Sequence, residues 1–328
     1  MKFVLYTVKG LEDIVENELL QKCPDAAVIS KSNKCLTIEI ENSEPLLGLR
    51  CVDDLSIHIH DINFKTLVID LNALETSLDY LKKFRESHTG YTITKSIVGS
   101  TKKAFLFEEF LKTSLADLGY SFNEDSRTNL DFRIFVNSNE SHLSLRLTKE
   151  PLGKRSYTKA KYLGSLKPTI AASMVFLASK SLNPSAVIVD NFCGSGTLLK
   201  EAQALSYLIE GGDINVEAVR IARKVLNTKL NLQDAVRTNF KNTSFDCAIS
   251  NFPWDKQHPT SSITDLYVGA LKEYHRILRP QCVLCFICHK PDLLIKHIKK
   301  EFGQCYINEF KLGYLGQTPT IVLAVVTG

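Results

Sequence analysis

The residues Asn251-Phe252-Pro253-Trp254 follow an apolar, strand-like run from Phe245 to Ser250. An amide, a proline-stiffened turn and a flat aromatic ring therefore sit where a strand ends and a loop begins. An exocyclic amine on a purine or cytosine is a poor nucleophile, because its lone pair is delocalised into the ring. Accepting both of its N–H protons favours a tetrahedral nitrogen as attack begins. The Asn251 side-chain carbonyl and the Phe252 main-chain carbonyl suit that pairing. Trp254 suits stacking on an extruded base, worth about 1–3 kcal/mol. Without context, the same four residues read equally well as turn residues and a packing aromatic at a strand end.

Context comes from upstream. Asp190-Asn191-Phe192-Cys193-Gly194-Ser195-Gly196-Thr197 follows the apolar run Val187 to Val189 and opens into helical spacing from Leu198. Glycine in such a turn lets backbone amides approach a ligand that a Cβ would obstruct. Asp213 lies 19 residues beyond Gly194, near the end of the next strand, where an acid accepts hydrogen bonds from ribose hydroxyls. A dinucleotide fingerprint needs a third glycine, and Thr197-Leu198-Leu199 follows instead. Asp190 would repel a pyrophosphate but suits the ammonium group of an amino-acid moiety. S-adenosylmethionine fits this arrangement and NAD does not. Asp234-Ala235, near a third strand end, is assigned to the adenine amino group. Together the two motifs imply an amino methyltransferase acting on a base, with in-line placement of the acceptor nitrogen and no metal.

The elements that must position these residues fall into three blocks. Residues 1–55 carry a strand (Phe3 to Thr7), an amphipathic helix through Leu11, Ile14, Val15, Leu19 and Leu20, and a strand near Leu36 to Ile40. In residues 56–152 the pattern predicts strands over Thr66 to Leu71, Tyr91 to Val98, Leu130 to Asn137 and His142 to Leu147. It predicts helices over Leu74 to Arg85 and Ala104 to Leu118. After a linker (153–165), residues 166–328 alternate strand and helix, which implies an α/β fold with a parallel sheet. Pro168 suits the first turn of a helix running to Leu182. Helices follow over Val216 to Leu226, Asp265 to Leu278 and Asp292 to Phe302, with buried strands at Phe245 to Ile249, Val283 to Ile287 and Ile321 to Val326.

With 328 residues, 44% hydrophobic and 23% charged, the composition is that of an ordinary globular protein. No apolar run reaches the length of a membrane span. Met1 to Thr7 is too short for a signal peptide and reads as an edge of folded structure. Nine scattered cysteines suit a reducing cytosol, so the expectation is a cytoplasmic protein; a monomer is expected separately. Cys285-Phe286-Ile287-Cys288-His289 matches a haem-attachment spacing. Cys282 to Cys288 instead reads as a buried strand, in which residues three apart face opposite ways. Residues 1–150 hold 18 Lys and Arg against 23 Asp and Glu; residues 151–328 hold 22 against 13. Lys149, Lys154, Arg155, Lys159, Lys161 and Lys167, with Glu150 the only acid among them, form the densest basic stretch, either a solvated linker or a phosphate-tracking surface beside the site.

The C-terminal half resembles the Rossmann-like RNA guanine-N2 methyltransferases. Asp190 to Thr197 is similar to their D-P-x-C-G-S-G-T motif, and Asn251 to Trp254 to their N-P/L-P-aromatic motif. Leu166-Lys167-Pro168-Thr169-Ile170-Ala171-Ala172 resembles the helix before their cofactor turn. The front half resembles the THUMP-containing members, through Gly10-Leu11-Glu12 and Leu147 to Tyr157, so the likeness covers nearly the whole chain. It implies an N-terminal ferredoxin-like domain (1–55), a THUMP RNA-binding domain (56–152) and a methyltransferase domain (166–328). It further implies transfer to N2 of a guanosine in tRNA, at position 6 of the acceptor stem, with THUMP holding the 3′ end. Position 10, a ribosomal guanine, or a non-catalytic RNA-binding protein with a decayed catalytic domain are the alternatives. Cofactor contacts then fall on Thr169, Asp190, Cys193, Gly194, Ser195, Gly196, Thr197, Asp213, Ile214, Asp234, Ala235 and Asn251. Lys95, Lys102 and Lys103, beside Ser100-Thr101, join the basic stretch as RNA contacts. Two departures stand out: Asn191 and Phe252 each replace a proline.

Overall fold

The computed structural model describes residues 1–84, 90–97, 101–123, 130–138, 140–159, 164–253 and 263–327. Contacts divide the chain into two units: Met1–Thr7 with Val15–Lys154, and Val8–Ile14 with Arg155–Gly328.

In chain order the front half contains β1 (Lys2–Tyr6), α1 (Glu12–Lys22), β2 (Ala27–Ser32), β3 (Cys35–Glu39), β4 (Asp54–Asp61) and α2 (Leu71–Leu81). It continues with β5 (Gly90–Ile97), α3 (Thr101–Asp117), β6 (Ser121–Phe122), β7 (Leu130–Val136) and β8 (Ser141–Arg146). The eight strands form one sheet in the order β2-β3-β1-β4-β8-β7-β5-β6. Strands from residues 1–55 and from 56–152 share it, because β4 pairs with β1 on one side and β8 on the other. Inside it Asp54 takes the guanidinium groups of Arg133 and Arg146, and Arg146 also pairs with Asp131. Such a buried ion network is costly unless every partner is in place, so it selects one strand register. The strand expected over Thr66 to Leu71 is absent. Asn63 instead closes a turn, accepting the Thr66 and Leu67 backbone N–H groups, and Asp70 caps α2 by accepting from Ala73 N–H at 3.0 Å.

The second unit contains α4 (Pro168–Ser179), β9 (Val187–Asp190), α5 (Thr197–Ala204), β10 (Leu208–Asp213), α6 (Val216–Leu226) and β11 (Asn231–Leu232). These are followed by β12 (Phe245–Asn251), α7 (Ile263–Ile277), β13 (Leu278–Cys288), α8 (Pro291–Phe302), β14 (Cys305–Lys311) and β15 (Thr320–Val326). The sheet order is β11-β10-β9-β12-β13-β15-β14. The strands from β11 to β13 run parallel, while β15 is antiparallel to both β13 and β14. A dinucleotide-binding sheet places its strands 3-2-1-4-5-6. Here a reversed last strand is inserted before the sixth, giving a Rossmann-like sheet of a different type.

The chain runs outward from β9 through β10 to β11, then returns to the other flank of β9 as β12. That reversal opens a crevice beyond the C-terminal ends of β9 and β12, where open α/β sheets bind ligands. Asp190 and Asn251 are the residues at those two ends. Beneath them Val189, Ala248, Phe252, Tyr267, Tyr274, Phe286 and Val322 belong to one buried cluster. Cys282, Cys285 and Cys288 lie along β13, all buried, and burial pushes their thiols upward. Among the described residues no helix is long and apolar enough to cross a membrane.

Candidate active site

The turn after β9 is built from its own backbone. Gly194 and Gly196 have φ of +50° and +83°, in the left-handed region that favours glycine. Gly196 N–H donates to the Cys193 carbonyl at 2.7 Å, and Cys193 N–H to the Gly212 carbonyl at 3.0 Å. Gly196 stands at the start of α5, where a Cβ would lie 3.1 Å from Leu226 Cδ1 and 3.2 Å from Ala222 Cβ. Ser195 Oγ is 2.8 Å from Ser165 Oγ and 3.3 Å from Thr197 Oγ1. Cys193 is buried, and burial followed by the nearby Asp190 and Asp213 carboxylates drives its thiol pKa well up. It packs rather than reacts.

Asp190 is 1% exposed. Its Oδ1 accepts from Ser250 Oγ at 2.5 Å and from Phe192 N–H at 3.0 Å. Burial raises its carboxyl to about 7, more than these two donors pull it down. It lines a cleft with Ser165, Cys193, Gly194, Ser195 and Asn251. The Asn251 carbonyl oxygen Oδ1 is buried and has no hydrogen-bond partner among the described residues. An acceptor left unpaired in a cleft is available to a ligand's N–H.

Asp213 is tied to the glycine turn: Oδ2 accepts from Gly194 N–H at 2.9 Å and Oδ1 from Asn215 N–H at 2.9 Å. Each oxygen keeps a lone pair for a further donor, which fits a ribose. Ile214 follows, 66% exposed, and Leu232, which pairs with Asp213 in the sheet, is 53% exposed. Asp234 is exposed, with Oδ1 accepting from Val236 N–H at 3.0 Å, and Ala235 is buried. Thr169 is fully buried in the first turn of α4, where its carbonyl accepts from Ser173 Oγ.

The turn at β12 is fixed from three sides. Phe252 N–H donates to the Ile287 carbonyl at 3.0 Å. The Phe252 ring, 0% exposed, packs against Phe192, Tyr267 and Phe286 at centroid distances of 5.1, 4.8 and 4.9 Å. Tyr267 Oη donates to the Pro253 carbonyl at 3.2 Å. Trp254 lies outside the described residues. Sequence reasoning missed Ser250, Tyr267 and Tyr274, which reach the site from β12 and α7 without any local motif.

The basic residues are less free than their sequence suggests. Arg155 is only 12% exposed, its Nε bonded to the buried Glu201 at 3.1 Å, and Tyr157 Oη also donates to Glu201. Read as a phosphate contact, Arg155 is instead an internal ion pair. Lys95 is paired with Glu108 at 2.5 Å and lies over the Phe105 ring. Lys154 pairs with Glu150 at 2.7 Å but stays 59% exposed. Lys102 and Lys103 are exposed on α3. Ser100, Lys161 and the side chain of Lys159 lie outside the described residues.

Comparison with known proteins agrees with this geometry. Residues 155–316 match the family model "UPF0020: RMKL-like, methyltransferase domain". The Ribosomal RNA large subunit methyltransferase K/L of Buchnera aphidicola subsp. Acyrthosiphon pisum (strain APS) is 26% identical over 215 residues, covering 60% of this chain and 29% of that protein. The chain therefore spans less than a third of that relative's length. The crystal structure of TrmN from Thermus thermophilus has a TM-score of 0.77 at 20% identity, over 99% of both chains. SMU.472, solved in complex with SAH, gives 0.70 at 17% identity, over 100% of this chain and 98% of that one.

The second unit is thus a Rossmann-like methyltransferase domain. Its cofactor is S-adenosylmethionine. Its cleft is lined by Asp190, by Gly194 in the left-handed region, and by Asn251, whose Oδ1 has no partner among the described residues.

Proposed function

We propose that this chain methylates the exocyclic N2 of a guanosine in tRNA, at position 6 of the acceptor stem. One observation carries the reading: Asn251, whose buried Oδ1 has no partner among the described residues, lines the same cleft as Asp190. S-adenosylmethionine supplies, when bound, a methyl group on a sulfonium centre. Asp190 takes the ammonium of its amino-acid portion, the Gly194–Gly196 backbone accommodates its close approach, and Asp213 accepts from its ribose. Ile214 supports the adenine, and Asp234 with Ala235 reads its edge. Asn251 Oδ1 and the Phe252 carbonyl accept hydrogen bonds from the two N–H groups of the acceptor amine and turn its lone pair toward the methyl. As the N–C bond forms the S–C bond breaks, S-adenosylhomocysteine leaves, and the surplus N2 proton passes to solvent. Tyr267 donates to the Pro253 carbonyl and so holds the turn that carries the Phe252 carbonyl. Trp254 stacks on the base.

Residues 1–55 are read as a ferredoxin-like domain and 56–152 as a THUMP domain that holds the tRNA 3′ end. Lys102, Lys103 and Lys154, the exposed members of the basic set among the described residues, make phosphate contacts. A second reading, a ribosomal RNA guanine, is favoured by the name of the curated relative. Incubation of the protein with labelled cofactor and unmodified tRNA or rRNA, followed by nucleoside mass mapping, tests the two. N2-methylguanosine at position 6 of tRNA is expected. Label confined to rRNA supports the second reading, and label in neither overturns both. Asn251→Ala should cut turnover by about a hundredfold or more while cofactor affinity stays within about threefold. Retained turnover would sink the assigned role.

A further inference from the structure

The Asp190 carboxylate is held by two side chains that the reading above does not use. Ser250 Oγ donates to Asp190 Oδ1 at 2.5 Å and lies 2.6 Å from the Tyr274 hydroxyl. Tyr274 Oη accepts the Asn191 backbone N–H at 3.0 Å. Asp190, Asn191, Ser250 and Tyr274 are each at most 1% exposed, so water does not compete for these bonds.

The end points fix the direction of the chain. An amide N–H can only donate, and an ionised carboxylate can only accept. Asn191 N–H therefore fills a lone pair of the Tyr274 oxygen, the tyrosine proton goes to Ser250, and the Ser250 proton goes to Asp190. A proline at 191 would have no N–H, and the chain would lose its first donor. Oδ1 of Asp190 is committed by this chain and by Phe192 N–H, whereas Oδ2 makes no hydrogen bond among the described residues.

We propose that Ser250 and Tyr274 are positioning residues that fix the Asp190 carboxylate with Oδ2 turned to the cleft, ready for the ammonium group of the cofactor. This rests on the cofactor reading above. Burial holds the Asp190 carboxyl near 7, and the other groups facing it are the Asp213 carboxylate from β10, the Tyr274 phenol from α7 and the Cys193 thiol from the turn. A protonated Asp190 cannot pair with an ammonium. Affinity is therefore full above that value and falls about tenfold per pH unit below it. Ser250 stabilises the charged form, so its removal moves the fall to higher pH.

The test is calorimetric titration of S-adenosylhomocysteine into the full chain between pH 5.5 and 8.5. This ligand keeps the ammonium, which belongs to a free amino acid rather than a peptide N-terminus and titrates above that window. Wild-type affinity should be roughly tenfold weaker at pH 6 than on the plateau. Ser250→Ala should move the midpoint up by about one pH unit and weaken binding about fivefold relative to wild type at pH 7. Tyr274→Phe should move it in the same direction by less. An unmoved midpoint in Ser250→Ala overturns the proposal, and if that variant does not fold, an unmoved midpoint in Tyr274→Phe does so. Failure of the wild-type chain to bind the ligand at any pH would instead overturn the cofactor reading.

Discussion

Asp190→Asn is the most informative single change, because it separates stability from binding. The substitution removes a charge and keeps the shape. The amide carbonyl can still accept from Ser250 and Phe192, the two donors now on Oδ1. In the wild type, burial raises the carboxyl from 3.8 to about 7. The folded state thus binds more protons than the unfolded one between those values. Stability falls as pH rises through that window and is level above it. At about 1.4 kcal/mol per pH unit, the full penalty at pH 8 is roughly 4 kcal/mol, an upper bound.

The variant carries no such penalty. It should be more stable than wild type at pH 8 by up to about 4 kcal/mol, and roughly 2 kcal/mol of that gain should vanish by pH 5.5. Denaturant midpoints at the two pH values, with unchanged slopes, measure it. Cofactor affinity should fall at least tenfold, since a charge-assisted hydrogen bond is worth about 1.5–3 kcal/mol. If variant and wild type lose or gain stability in parallel between pH 5.5 and 8, Asp190 does not carry the buried charge, and the reasoning fails.

Two other changes probe the substrate side. Tyr267→Phe removes the donor to the Pro253 carbonyl while keeping the ring against Phe252. Stability should drop by about 1 kcal/mol, and turnover should fall while affinity for S-adenosylhomocysteine stays the same; equal losses in both would argue for a merely structural tyrosine. Combined Lys102→Ala, Lys103→Ala and Lys154→Ala should flatten the salt dependence of RNA binding by about 0.7–0.9 in slope per lysine. A slope equal to that of the wild type removes these lysines from the interface.

The parallel half of the fold was readable because its strands are continuous apolar runs bounded by helical spacing. Val187 to Val189 and Val283 to Ile287 need no knowledge of their partners to be recognised. Direction was not readable. Ile321 to Val326 looks the same whichever way it enters the sheet, and only pairing with β13 and β14 makes it antiparallel. In the front half β4 escaped notice, since its alternation runs through His58, His60 and Asp61. Thr66 to Leu71 reads as a strand in sequence, but Asn63 and Asp70 take up its backbone as a turn and a cap. The site divides in the same way. Asp190, the glycines and Asp213 are ordered along the chain and could be named. Ser250, Tyr267 and Tyr274 act by meeting in space, so no spacing announces them. Arg155 is the converse case, a cation whose partner Glu201 lies 46 residues away.

The two missing prolines show how the site is kept rigid without them. A proline stiffens a turn by locking φ and removes one donor. Here each position keeps its N–H and uses it. Asn191 donates to the Tyr274 hydroxyl at 3.0 Å, and Phe252 donates to the Ile287 carbonyl at 3.0 Å. Phe252 adds a ring closed in by three other aromatics. The Asn191 amide, buried with neither polar atom partnered among the described residues, costs on the order of 1–3 kcal/mol. The bond from its backbone to Tyr274 sets against that cost a fixed tyrosine, and through it an oriented Ser250 and Asp190. Constraint has moved from the ring of a proline to hydrogen bonds that run from α7 into the ends of β9 and β12, so α7 is part of the catalytic frame rather than a cover for the sheet.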